Sequence, residues 1–60
     1  MIERDIEARI AELQRHIEVV KADRDVKAQI EDHHGVRDAA VDIETKLARI
    51  DELYKVLQLL

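Results

Sequence analysis

The chain has 60 residues, with no proline, cysteine, tryptophan or phenylalanine, one glycine and one tyrosine. This composition excludes a disulfide-stapled module, a cysteine zinc site and a thiol enzyme, and it argues against a β-rich domain, whose turns call on more Gly and Pro. Fourteen acidic against ten basic residues give a net charge of −4 without a basic tract, so nucleic acid is a disfavoured partner.

The length fits one domain, residues 1–60. No apolar run approaches a membrane span, and the opening Met1-Ile2-Glu3-Arg4-Asp5 is unlike a signal peptide. A cytoplasmic protein with no membrane partner is the expectation. A lone chain this short, with no disulfide, is marginally stable, and homo-oligomerisation is the usual remedy in a sequence rich in helix formers.

The first element is a helix over about 2–33. Ile6, Ile10, Leu13, Ile17 and Val20 follow one another at intervals of 4, 3, 4 and 3, which places them on one stripe. Extending the stripe would bring Arg24 and Lys27 to the seam. The apolar residues instead move to Val19, Ala22, Val26 and Ile30, on a different face. Two apolar faces on one helix suit a multi-helix bundle, in which each helix meets more than one neighbour. Around them, acids and bases alternate, and Asp5–Arg9 and Asp23–Lys27 have the i,i+4 order that supports a helix.

A turn near 33–37 follows. Gly35 is expected to end the first helix in the left-handed conformation, and Asp38 to cap the second. The second helix, about 38–60, carries Val36, Ala40, Ile43, Leu47, Ile50, Tyr54 and Leu57 at unbroken intervals of 4 and 3, widened by Leu53 and Leu60.

The fold class is therefore all-α: a two-helix antiparallel hairpin assembling as a homodimeric four-helix bundle. In it Ile30 is expected near Ala40, Val26 near Ile43, Val20 near Ile50, Ile17 near Tyr54 and Leu13 near Leu57. The alternative is a single long helix in a coiled coil, about 90 Å at 1.5 Å per residue. Val19, Ala22, Val26, Gln29, His33, Val36 and the second stripe keep a 3/4 spacing straight across Gly35, in favour of that rod. The core and oligomer interface are assigned to Ile6, Ile10, Leu13, Ile17, Val20, Val26, Ile30, Ala40, Ile43, Leu47, Ile50, Tyr54 and Leu57.

Little in the chain carries chemistry. Serine is absent, and Thr45 and Tyr54 hold the only side-chain hydroxyls, so a Ser/His/Asp apparatus cannot be assembled. No catalytic residue and no cofactor is assigned, and an enzyme is not expected. Glu31-x-x-His34 has the spacing that sets a carboxylate and an imidazole on one helix face, as in metal-binding bundles. It supplies Glu31 and His34 as weak metal candidates.

Asp51-Glu52-Leu53-Tyr54-Lys55 is similar to a stretch in the second helix of the Rop family of plasmid copy-number regulators. A dimer of small helical hairpins also resembles that family's architecture. The resemblance implies an RNA-binding regulator acting through first-helix faces. The first helix here has no matching residues and no phenylalanine, so no RNA contacts are assigned. The primary expectation is a non-enzymatic module that associates with itself, or with another protein, through helix packing. An RNA-binding regulator and a metal-binding bundle are the alternatives.

Overall fold

A computed structural model describes all 60 residues. It contains two helices, α1 (Ile2–Gln29) and α2 (His33–Leu59), packed against each other as an antiparallel hairpin, and no strand. The chain measures 45 × 14 × 9 Å. One continuous helix would be about twice as long, so the rod is overturned.

The turn lies earlier than the sequence predicts, at Ile30–Asp32 rather than 33–37. Glu31, not Gly35, takes the left-handed conformation, with φ 57°. The backbone N–H of Asp32 donates to the Lys27 carbonyl at 2.8 Å, and that of Glu31 to the Ala28 carbonyl at 3.2 Å. These two bonds form a Schellman closure, which satisfies carbonyls that the helix end would otherwise leave unpaired.

Asp32 ends one helix and begins the next. Its carboxylate Oδ1 accepts from the Gly35 N–H at 3.0 Å, so it is Asp32, not Asp38, that caps α2. Gly35 lies inside the first turn of α2, buried and without positive φ. What it supplies is room. A Cβ there would sit 2.5 Å from Asp32 Oδ2 and 2.5 Å from Lys27 Cδ. Glycine lets the capping carboxylate and the Lys27 stem close over the start of the helix.

Ile10, Leu13, Ile17, Ile43 and Ile50 form the buried core, with Ile6, Val20, Leu53 and Leu57 packed at its margins. In α1 the seam keeps to the first predicted stripe and then runs on through half-buried Arg24 and Lys27. In α2 it follows Val36, Ala39, Ile43, Lys46, Ile50, Leu53 and Leu57. The lysines are accommodated because their alkyl stems cover apolar surface while their ammonium groups reach neighbouring acids. Lys27 Nζ lies 2.8 Å from Asp23, and Lys46 bonds Asp42 in the same i,i+4 relation. Arg9, by contrast, leaves Asp5 and pairs with Glu12 at 3.3 Å.

No helix is long and apolar enough to cross a membrane.

Candidate association surface

The hairpin buries only part of the apolar surface that the sequence offers. Ile10, Leu13, Ile17, Ile43 and Ile50 are buried, while Ile6, Val20, Ala40 and Leu57 are half-buried. The other residues assigned to the core or interface lie outside: Val26 is 55% exposed, Ile30 69%, Leu47 52% and Tyr54 47%. The earlier turn explains part of this, because it changes which residues stand opposite each other. Leu13 shares a cleft with Thr45, Ala48 and Arg49, near the middle of α2. Val26 and Ile30, close to the turn, are left facing outward.

The second part of the explanation is the breadth of the apolar arc on α2. Ala39, Lys46 and Leu53 recur every seven residues, as do Ala40, Leu47 and Tyr54 one position later. Both rows flank the shared Ile43 and Ile50. A single partner helix takes one of them. The hairpin takes Ala39, which is buried, with Lys46 and Leu53, and leaves Leu47 and Tyr54 to one side. Hydrophobicity alone favours the second row. The Lys46 contact to Asp42 is what makes the first usable, and the i,i+4 Asp42–Lys46 pair was the signal for it in the sequence.

The two flanks of the hairpin differ in character. One carries an open cleft of about 550 Å³ lined by Arg9, Thr45, Lys46, Arg49 and Glu52, with Leu13 and Ala48. Each of its cations has an acidic neighbour on its own helix: Arg9 with Glu12, Lys46 with Asp42, and Arg49 with Glu52 at 4.0 Å. The cleft is therefore close to electrically balanced rather than a bare cationic patch. The opposite flank carries Leu47 and Tyr54.

The Glu31–His34 pair does not share a helix face. Glu31 is the left-handed turn residue, His34 lies in the first turn of α2, and both are exposed. No group of three His, Cys, Asp or Glu side chains is placed to hold a metal ion. Lys27 has a displaced protonation equilibrium. Its hydrogen bond to Asp23 and the Asp23 charge raise it above the ordinary 10.5 against an opposing contribution from burial, with Asp32 and Asp38 adding smaller increments.

No protein-family model, curated protein or solved structure matches the chain.

Proposed function

We propose that this chain is an association module that works by self-assembly through helix packing, its hairpin being one half of a larger helical bundle. The observation that carries the reading is the set of large apolar residues outside the hairpin core. Val19, Val26 and Ile30 on α1, and Leu47 and Tyr54 on α2, stand at helical spacing on continuous faces rather than scattered singly. Only six apolar residues are buried within the chain, a small core for a domain that must fold alone. A further layer of helices on the Leu47–Tyr54 side would cover part of this surface and enlarge the core.

Sedimentation equilibrium tests this. The expected mass rises with concentration to at least twice the 7.0 kDa of the chain, and the melting temperature rises with it. A folded chain of monomeric mass at every concentration, with concentration-independent melting, refutes the reading.

A further inference from the structure

We infer that the partner is a second copy of this chain, docked by a two-fold axis on the Leu47–Tyr54 flank so that α1 meets α1 and α2 meets α2. The inference rests on the self-assembly proposed above and assigns it a face and a symmetry.

The chain as a whole has surface to spare for such a contact. The chain exposes 4769 Å², whereas a compact monomer of this mass exposes about 4,000 Å². The excess, roughly 700 Å², is close to the ~800 Å² that each partner contributes to a standard stable interface.

The residues on that flank form two rows. A helix advances about 100° per residue, so positions seven apart stay nearly in line. On α2 the row is Ala40, Leu47, Tyr54. On α1 the row turned to the same side, away from the Arg9–Arg49 cleft, is Glu7, Gln14, Lys21. Each row stands roughly 70–80° round its helix from the hairpin seam, and Ile10, Ile17, Ile43 and Ile50 lie between them. Glu7, Gln14 and Lys21 are all exposed.

Both rows are self-complementary about their central residue. Gln14 precedes the turn residue Glu31 by 17 positions and Leu47 follows it by 16, so the two centres are nearly level along the hairpin. One two-fold axis can therefore pass close to both. It sets Leu47 against Leu47 of the second copy, and the small Ala40 against the large Tyr54, which conserves volume along the contact. On α1 it sets Gln14 against Gln14, whose amides can donate and accept reciprocally, and Glu7 against Lys21, an opposite-charge pair that the symmetry makes twice. Polar layers of this kind fix register at some cost in stability. Glu3 and Asp25 meet as like charges at the exposed ends, which subtracts from affinity.

Charge reversal provides the test, because Glu7 and Lys21 are exposed in the hairpin and their replacement spares its core. Dimerisation constants from sedimentation equilibrium are compared for the wild type, E7K, K21E and the double variant. Each single change is expected to weaken the dimer about three- to tenfold, since it converts two attractive contacts into repulsive ones. The double variant is expected to recover near wild-type affinity, and R49E, on the opposite flank, to leave the dimer unaffected. Leu47→Cys, in a chain without native cysteine, is expected to form a disulfide-linked dimer on mild oxidation. A dimer that ignores E7K and K21E, or singles that the double change does not rescue, overturns this interface while the self-assembly reading stands. A monomer at every concentration overturns both.

Discussion

Replacing Gly35 by alanine tests the account of the turn. Exchanging glycine for alanine inside a helix ordinarily stabilises it by about 1 kcal/mol. Here the added Cβ would stand 2.5 Å from Asp32 Oδ2, 2.9 Å from Asp32 Cγ and 2.5 Å from Lys27 Cδ. The Lys27 stem is flexible and can swing aside. The Asp32 carboxylate cannot move without losing its bond to the Gly35 N–H, and a lost N-cap costs about 1 kcal/mol. Propensity and cap therefore offset each other, and displacement of Lys27 tips the balance, so Gly35→Ala is expected to be neutral to about 1 kcal/mol destabilising. Asp32→Ala alone is expected to cost about 1 kcal/mol. With that carboxylate gone, Gly35→Ala should recover its full gain of about 1 kcal/mol. The assay is urea unfolding followed by helical circular dichroism for all four members of the cycle, at one chain concentration so that association does not enter the comparison. If Gly35→Ala stabilises the chain equally with and without Asp32, the capping geometry is wrong.

Three further outcomes follow from the same structure. Glu31→Gly should stabilise the hairpin by up to about 1 kcal/mol, because relief of a left-handed L-residue, worth about 1–2 kcal/mol, exceeds the added freedom of the unfolded chain. A loss of stability on denaturant unfolding would contradict the positive φ at that position. Ile50→Ala, in the buried core, should cost about 2–5 kcal/mol, whereas Val41→Ala on the outer face should stay within about 0.5 kcal/mol; similar costs for the two would remove the distinction between seam and surface. For Lys27, the raised equilibrium means that the charged form is favoured by folding. Its contribution is whole below the ordinary value of 10.5 and is lost as pH climbs through the raised one. Wild type should therefore melt above Lys27→Met at neutral pH, with the gap closing in alkaline solution, and a gap that widens with pH would reverse the assignment.

The helical class was legible because the interval pattern of Ile6, Ile10, Leu13 and Ile17, and that of Ile43 and Ile50, admits no other regular structure, whereas the hairpin was inferred from the lone mid-chain glycine, a capping aspartate and the change of apolar face. The turn was less so. Glycine is the default residue for positive φ, and the only glycine stands near the middle of the chain, so the pattern pointed to Gly35. The chain spends that glycine on close approach and lets Glu31 carry the backbone strain. Glu31 and Asp32 also look misplaced if read as the last turn of α1, where the helix dipole disfavours acids. Read as the entry to α2, Asp32 is a favourable cap. The seam role of Lys27 and Lys46 was hidden for a different reason. Hydrophobic patterning scores a lysine by its ammonium group, whereas packing uses its methylenes. Val26 and Ile30 follow from that, since the seam does not swing to their face when Arg24 and Lys27 can hold it.

The unequal polarity of the two rows bears on specificity. Under the proposed two-fold, the polar row of α1 meets its own copy and the apolar row of α2 meets its own. An arrangement that laid α2 on the α1 of the other copy would press Leu47 and Tyr54 against Glu7, Gln14 and Lys21. It would strip water from two charges and an amide with nothing to bond them, a cost of several kcal/mol that their own pairing avoids. The polar row thus adds little attraction but excludes the competing topology. The outward row of α1, Val19, Val26 and Ile30, points roughly opposite the hairpin seam and lies beyond this contact, so a two-fold dimer leaves it uncovered.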